Sequence, residues 1–219
     1  MKNRPRICAS IVSDDLAAIK GIAPFVELFE VRIDLIGEDW PELVRRLDKP
    51  WIACNRTASE GGRWSGSESA RIEKLLDAID LGAAIIDIEL VTDNLESMVK
   101  RIKTKAECLL SFHDQKGTPS LERMKEIVNR QLVAGADICK MVTTAQKFED
   151  NLTVLQLIPD FSKVRIVAFA MGSLGFVSRM FCPLAGGDFV YAAVEKGQEA
   201  ASGQITVGEL RKIYGMMPW

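Results

Sequence analysis

The chain has 219 residues, 47% of them hydrophobic and 26% charged, and its 28 basic and 30 acidic residues give a formal net charge of −2. This apolar content is enough for a buried core and argues against a disordered chain. The balanced charge, without a run of Lys or Arg, removes the electrostatic basis for binding nucleic acid or an acidic membrane. The early apolar run at 7–12 is too short for a signal peptide or a spanning helix.

Cysteine and histidine usage bears on metal binding and on the cellular compartment. The five cysteines are widely spaced and include no C-x-x-C pair, so neither a disulfide framework nor a zinc ribbon is indicated. A single His leaves few ligands for a transition-metal site. We therefore expect a reduced, cytoplasmic protein without a metal. The cysteines are Cys8, Cys54, Cys108, Cys139 and Cys182.

Short apolar runs typical of strands alternate with amphipathic helical segments along the whole chain. Eight strands are predicted, at 6–11, 28–35, 51–56, 84–90, 108–113, 137–142, 164–170 and 188–194. Apolar residues at helical spacing mark five helices most clearly. The five groups are Leu43, Val44 and Leu47 (after Pro41); Ile72, Leu75, Leu76 and Ile79; Leu95, Met98, Val99 and Ile102; Leu121, Met124, Val128 and Leu132; and Val207, Leu210 and Tyr214.

Eight strands, each followed by a helix, predict a parallel sheet with right-handed crossovers, and eight is the number that closes a (β/α)8 TIM barrel. An open doubly wound sheet is the alternative. However, the G-x-G-x-x-G fingerprint of a dinucleotide-binding fold does not follow the first strand. Since no linker, low-complexity stretch or repeat divides the chain, we expect residues 1–219 to form one barrel domain.

Charged residues interrupt the predicted strands, although strands of a closed parallel barrel should be almost continuously hydrophobic. In 28–35, Glu30, Arg32 and Asp34 alternate with apolar residues. A half-solvated antiparallel strand would give the same pattern. In a series of βα units, however, the apolar face meets the helices and the charges point into the barrel. Inward charges are costly unless they are paired or used.

The same interruption recurs late in other strands, where barrel enzymes place their catalytic groups. The residues concerned are Arg56 with Glu60 four residues on, Asp87 and Glu89, His113 and Asp114, and Lys140. Desolvation and a nearby arginine (Arg32, Arg56 or Arg179) would lower the pKa of Lys140 and free its amine to attack a carbonyl carbon. His113, with an unperturbed pKa of about 6.5, is the candidate proton carrier.

Two glycine-containing segments complete the predicted mouth of the barrel. Residues 171–175 lead toward Ser178 and Arg179, and they are compatible with an anion-binding nest or with a tight turn. Residues 195–204 are polar, contain two glycines and have the composition of a lid.

Seven motifs, in order, resemble those of the type I 3-dehydroquinate dehydratases, and the resemblance covers essentially the whole chain. The motifs are 30–34, Arg56 with 60–62, 87–89, 111–114, Lys140, 171–179 and 203–204. Members of this family are (β/α)8 barrels, commonly dimers, that need no metal or organic cofactor. They convert 3-dehydroquinate to 3-dehydroshikimate in the shikimate route to aromatic amino acids.

The resemblance also implies a role for each matching residue. Lys140 would form an imine with the ring ketone, His113 would move the protons, and Glu60 would orient His113. Arg179 would bind the substrate carboxylate. The ring hydroxyls would be held by Glu30, Arg32, Arg56 and Gln204, and the supporting positions behind these residues would be Asp34, Asp87, Glu89 and Asp114. With His113 neutral, the cations outnumber the carboxylates among the residues that would touch substrate, which predicts a positive pocket for a small acid.

One segment departs from the family pattern, and two other functions stay open. The family often has a Ser-Ala-Pro-Gly-Gln lid, whereas 200–204 reads Ala-Ala-Ser-Gly-Gln, so Ala200 lacks the hydroxyl and Ser202 would replace it if the loop is repositioned. A class I aldolase would share the lysine and carry a phosphate site late in the barrel, for which 185–187 is a candidate. A barrel used only for binding would not require Lys140, His113 and Glu60 together.

Overall fold

The computed structural model describes residues 4–217, and all eight predicted strands are present in it. Their bounds lie within a few residues of the predicted ones. The strands are β1 Ile7–Ile11, β2 Leu28–Arg32, β3 Trp51–Cys54, β4 Ile85–Glu89, β5 Glu107–His113, β6 Ile138–Thr144, β7 Ile166–Met171 and β8 Val190–Ala193.

Helices separate consecutive strands in this part of the chain. They are α1 Leu16–Ile22, α2 Ile33–Ile36, α3 Trp40–Val44, α4 Glu68–Asp80, α5 Leu95–Ile102, α6 Leu121–Val133, α7 Asp150–Asp160, α8 Phe176–Phe181 and α9 Val207–Gly215. Three helices are capped at the N-terminus by a side-chain oxygen that accepts hydrogen bonds from first-turn backbone amides: α1 by Asp15, α4 by Ser67 and α6 by Ser120. On α9, Thr206 and Glu209 form a capping box. Between residues 4 and 217, none of the helices has the length and apolarity needed to span a membrane.

The strands pair in parallel in the order β7-β6-β5-β4-β3-β2-β1-β8, which is the order of a (β/α)8 barrel. At the closing seam the Asp188 amide donates to the Ile166 carbonyl at 2.8 Å, and the rings of Phe169 and Tyr191 meet edge to face. The predicted fold is confirmed as eight parallel strands in a nearly closed barrel.

The hydrophobic core fills the barrel and the layer between the strands and the helices. Its buried side chains form one contiguous cluster, as we expect of one domain. The ends of the predicted domain, 1–219, lie outside the described residues, and those bounds stay a prediction.

The strand predicted at 28–35 is shorter than expected. It ends at Arg32, and Ile33–Ile36 form the short helix α2. Asp34 is therefore carried by α2, and its carboxylate turns back to pair with Arg32. The prediction of three inward charges on one strand is wrong for Asp34, because the chain turns into a helix as it leaves the barrel.

Candidate active site

The nine side chains predicted to act on or bind a substrate all line one cavity at the carboxyl ends of the strands. The cavity has a volume of about 360 Å³. The nine are Glu30, Arg32, Arg56, Glu60, His113, Lys140, Arg179, Ser202 and Gln204.

Lys140 projects from β6 into this cavity and is 4% exposed. Its Nζ atom donates to Asp87 Oδ2 at 2.8 Å and to Glu30 Oε1 at 3.3 Å, and it lies 4.3 Å from the centre of the Tyr191 ring. Burial acts to lower the pKa of the ammonium group, but the two carboxylates outweigh burial and raise the pKa above its usual value. The predicted lowering is wrong, because it counted the arginines without the carboxylates. Lys140 is an ammonium ion at rest.

His113 ends β5, and its Nδ1 atom lies 2.7 Å from Glu60 Oε2. Burial, and then the charges of Arg56 and Lys140, lower the pKa of His113 well below its usual value, so the imidazole is neutral at pH 7. Burial raises the pKa of Glu60 to about 8, although the charge of Arg56 opposes this shift. The prediction that used the unperturbed imidazole pKa is corrected accordingly: protons are exchanged by the Glu60–His113 pair as a unit.

Two glycines place Glu60 opposite His113. Glu60 ends a short 3-10 turn, Ala58–Glu60, which is followed by Gly61 in the left-handed region at φ 83°. A Cβ on Gly62 would lie 2.0 Å from the Arg56 carbonyl oxygen. Both positions therefore require glycine, which lets the chain fold back and bring the Glu60 carboxylate over the cavity.

Arg56 follows β3 and is surrounded by carboxylates. Its Nη2 atom contacts Asp87 Oδ2 at 2.6 Å, and its Nη1 atom contacts Glu89 Oε1 at 2.9 Å and Glu60 Oε2 at 3.6 Å. The Ser111 hydroxyl lies 2.6 Å from both Arg56 Nη1 and Asp87 Oδ1. Asp87 and Glu89, predicted as supporting residues, thus contact the site from below.

Arg71 of α4 extends this ionic network and was not predicted. It is fully buried, and its Nη1 atom donates to Glu89 Oε2 at 2.6 Å and to the Asn55 carbonyl at 3.1 Å. Its Nη2 atom donates to the Thr92 hydroxyl. Glu89 is therefore held between the guanidinium groups of Arg56 and Arg71. In the sequence, Arg71 looks like a surface residue of an amphipathic helix.

The other two predicted supporting residues differ in what they contact. Asp34 accepts two hydrogen bonds from Arg32, at 2.9 and 2.7 Å, and Arg32 Nη1 also donates to the Ala200 carbonyl at 3.3 Å. Asp114 accepts hydrogen bonds from two backbone amides of the loop that follows it. Its carboxylate shapes that loop, whereas Asp34 orients a residue of the cavity.

Arg179 of α8 differs from the other cations of the site. It is 2% exposed, and its Nε and Nη2 atoms have no hydrogen-bond partner among residues 4–217. Burial lowers its pKa to about 10. Because Arg32, Arg56 and Lys140 are each paired with a carboxylate, the predicted positive excess is concentrated on Arg179.

The segment between β8 and α9 reaches into the cavity at 200–204. Gln204 Oε1 accepts a hydrogen bond from the Ala200 amide at 2.7 Å, and Gln204 Nε2 donates one to Ser10 Oγ at 3.0 Å. Ser10 in turn donates to Glu30 Oε2 at 2.8 Å. A chain of hydrogen bonds thus connects the lid segment with a partner of Lys140. Ser10 was not predicted, because a small polar residue within β1 carries no charge to single it out.

Segment 171–175 forms a tight turn in which two of the backbone amides are already hydrogen-bonded. The Gly172 amide donates to the Ser202 carbonyl at 3.2 Å, and the Gly175 amide donates to the Gly172 carbonyl at 3.0 Å. These amides are therefore not available to an anion. The turn and the lid pack backbone to backbone, since a Cβ on Gly203 would lie 2.4 Å from the Gly172 carbonyl oxygen.

Glu30, Cys54 and Asp87 bring oxygen and sulfur atoms within 4.8 Å of one another, as a metal site would. The Lys140 ammonium group, however, contacts both carboxylates. Burial also raises the pKa of the Cys54 thiol, which keeps it protonated and a poor ligand. The donor set suits the ammonium ion that it holds better than a metal ion.

Comparisons with known proteins agree with the geometry. A family model described as type I 3-dehydroquinase matches residues 7–218. A 3-dehydroquinate dehydratase of Dehalococcoides mccartyi is 42% identical over 214 residues, which are 98% of this chain and 96% of the relative. Another, of Methanocaldococcus jannaschii, is 32% identical over 219 residues, covering 96% of this chain and 98% of the relative.

A solved structure shares the fold. The crystal structure of 3-dehydroquinate dehydratase from Geobacillus kaustophilus matches with a TM-score of 0.85 at 24% identity, covering 98% of this chain and 91% of that one. At this identity the likeness shows the barrel alone. The family model and the curated relatives carry the assignment further: the chain belongs to the type I 3-dehydroquinase family, as its seven motifs predicted.

Proposed function

We propose that this chain is a hydro-lyase that converts 3-dehydroquinate to 3-dehydroshikimate and water through an imine at Lys140. The observation that carries the proposal is that the Lys140 amine and the neutral His113 imidazole line the same buried cavity. Elimination of water next to a ketone needs both an electrophilic activator of the ketone and a group that moves protons.

Imine formation begins with a proton transfer. Lys140 is an ammonium ion at rest and attacks only as the free amine, so Nζ first gives up a proton, which leaves with the ketone oxygen as water. The amine then adds to the ring ketone, and loss of water gives a protonated imine. This cation withdraws electrons from the adjacent carbon and so acidifies its proton.

Elimination then uses His113 twice. The Nε2 atom takes the proton next to the imine and later returns it to the leaving hydroxyl group. An ionised Glu60 accepts a hydrogen bond from Nδ1–H, which leaves the Nε2 lone pair free for this work. Glu60 thereby selects the tautomer in which His113 is a base.

The remaining residues of the cavity bind the substrate. Arg179 binds the carboxylate, because its unpaired N–H groups can donate to both oxygens of a planar anion. The hydroxyl groups are held by Glu30, Arg32, Arg56 and Gln204. Ser202 lines the cavity two residues after Ala200 and supplies the hydroxyl that Ala200 lacks.

The pathway, cellular compartment, oligomeric state and cofactor use of the enzyme are inferred from its similarity to the family alone. We propose that it acts in the shikimate route to aromatic amino acids, in the cytoplasm, as a homodimer that uses no metal or organic cofactor. Sedimentation at several protein concentrations tests the dimer. Dialysis against a chelator tests the cofactor claim, and lost activity would contradict it.

The proposal is tested by trapping the imine. The protein is incubated with 3-dehydroquinate and borohydride, digested and mapped by mass spectrometry, with the Lys140→Met variant as the matched control. We expect a reduced adduct on Lys140 in the wild type and none in the variant. A His113→Ala variant should still be trapped but should not release product. Full turnover by a protein with unmodified Lys140 would refute the mechanism.

A class I aldolase is the nearest alternative, and its phosphate site is the feature to examine. Gly186 and Gly187 precede β8, so they lie at the amino-terminal end of the barrel, opposite the cavity. A phosphate bound there would not reach Lys140. The segment at 185–187 therefore gives no support to the aldolase alternative.

A further inference from the structure

Asp87 is the group closest to the Lys140 nitrogen, and the steps proposed so far give it no role. Its side chain is fully buried, and one oxygen, Oδ2, contacts both Lys140 Nζ at 2.8 Å and Arg56 Nη2 at 2.6 Å. The other oxygen accepts the Ser111 hydroxyl at 2.6 Å. Burial acts to raise the pKa of this carboxyl, but Arg56 and Lys140 outweigh burial and hold the pKa far below its usual range, so the group stays an anion.

The two carboxylates at Lys140 differ in their access to the cavity. Glu30 lines the cavity, whereas Asp87 is not among the described residues that line it, and its side chain is fully buried. A ketone in the cavity approaches Nζ from the side of Glu30. The carbon that joins the nitrogen therefore displaces the longer contact with Glu30 and leaves the shorter contact with Asp87 in place.

We propose that Asp87 is a catalytic residue, the counter-ion that keeps the imine at Lys140 protonated. The proposal rests on the imine of the proposed function and adds to it the group that holds the remaining N–H. The ring of Tyr191, 4.3 Å from Nζ, supports the same cation through its π face.

The balance of the reaction explains why a fixed anion is useful. An ammonium ion and a ketone give a protonated imine and one water: two of the three nitrogen protons leave with the carbonyl oxygen, and the third stays on nitrogen. The nitrogen carries one positive charge before and after this step. A carboxylate that cannot move or titrate matches both states without reorganisation.

The charges around Nζ would otherwise oppose a cation. Arg56 on the β3 side and Arg179 of α8 are positive, and burial disfavours any unpaired charge. The groups that favour the cation are Asp87 of β4, Glu30 of β2 and the Tyr191 ring of β8. His113 of β5 is neutral, and Glu60 and the Cys54 thiol, also within the cavity wall, carry a proton at pH 7 for much or all of the time. Once substrate displaces Glu30, Asp87 is the carboxylate that remains on the nitrogen.

The test compares two reactions of Lys140, the labelling of its resting amine and the trapping of its imine. A structural defect would not make labelling easier and trapping harder at the same time. In Asp87→Asn, labelling of resting Lys140 by acetic anhydride should begin at a pH about one to three units lower than in the wild type, because the amine has lost its ion pair. In the same variant, trapping of the product imine by cyanoborohydride, which reduces protonated imines, should fail above neutral pH. The kcat should fall about 100-fold.

Asp34→Asn is the matched control. Asp34 also has a buried side chain that pairs with an arginine of the cavity, but it does not contact Lys140. This variant should weaken substrate binding and leave both reactions of Lys140 at their wild-type pH. An Asp87→Asn variant that behaves like the control would overturn the proposal.

A measurement on the wild type keeps the proposal testable if Asp87→Asn does not fold. With ¹⁵N in the lysine side chains and excess product bound, the imine nitrogen should carry a directly bonded proton from pH 6 to 9. An unprotonated imine at pH 7 refutes the role of Asp87. If borohydride traps no adduct on wild-type Lys140 at all, the proposed function itself fails, and the two failures are thereby distinguished.

Discussion

The guanidinium group of Arg179 lies over the ring of Phe169, 4.2 Å from its centre, and this aromatic face takes the place of an ion-pair partner. Its Nε and Nη2 atoms are buried without an acceptor among the described residues. Such an arrangement is costly to folding, because a buried charge without a carboxylate lacks compensation. We therefore interpret Arg179 as a binding site for an anionic ligand.

Replacing Arg179 should therefore separate binding from stability. We expect Arg179→Met to raise the KM for 3-dehydroquinate about 10- to 100-fold, the size expected for charged hydrogen bonds of about 1.5–3 kcal/mol. The same change should raise the melting temperature, because it removes buried N–H groups that have no acceptor. Arg165→Met, which breaks ion pairs with Glu107 and Asp188 outside the cavity, is the control and should leave KM unchanged. An Arg179→Met variant with wild-type KM would exclude Arg179 from carboxylate binding.

The Glu60–His113 pair predicts a pH limb of the activity. The Glu60 carboxyl group has a pKa of about 8, so below that pH it is mostly protonated and donates to Nδ1, which puts the proton of His113 on Nε2. Above it, the carboxylate accepts from Nδ1–H and Nε2 becomes a base. We expect kcat/KM to rise as the pH increases through about 8, and Glu60→Gln to lose this rise along with most of the activity. A flat wild-type profile between pH 7 and 9 would contradict the assignment.

The buried ion pair between Arg71 and Glu89 predicts a stability effect far from the substrate. Arg71→Met leaves Glu89 with one guanidinium partner in place of two and should lower the free energy of unfolding by about 3 kcal/mol. Urea unfolding measures this change. The double variant Arg71→Met/Glu89→Gln should recover part of the loss, because it no longer buries a poorly compensated charge. Lys100→Met, at an exposed pair, serves as the control and should show no measurable change.

Two glycines of the lid segment offer a matched comparison. Gly197 and Gly203 both have a positive φ, at 89° and 78°, so alanine is strained at either position. A Cβ at Gly203 would also strike the Gly172 carbonyl oxygen, whereas nothing lies within 4 Å of a Cβ at Gly197. We expect Gly203→Ala to raise KM several-fold and to expose the lid to proteolysis, and Gly197→Ala to do neither. Equal effects of the two variants would show that backbone strain alone matters.

Much of this arrangement could be predicted from the sequence because barrel topology brings strand ends together. Once eight βα units are recognised, Glu30, Arg56, His113 and Lys140 must meet at one mouth, and they do. Positions along the chain thus predict convergence of side chains without any knowledge of their contacts.

What the sequence could not predict depends on contacts between distant residues. The pKa of Lys140 has the opposite direction from the predicted one, because Asp87 proves to be its nearest partner and not a distant support. Arg71 and Ser10 carry no signal of their own: one resembles a helix surface residue and the other an ordinary strand residue. The end of β2 at Arg32 was missed because alternation at Ile33 and Leu35 continues into α2.

The hydrogen bonds that join Gln204, Ser10 and Glu30 have a consequence for inhibitors. Each of these groups already satisfies the next, so a ligand hydroxyl placed there exchanges one hydrogen bond for another and gains little affinity. The buried donors of Arg179, in contrast, have no existing hydrogen bond that a ligand would have to replace. A small inhibitor should therefore obtain most of its affinity from an acid group at one end of the cavity, and its hydroxyl groups should serve mainly to distinguish this cavity from other anion sites.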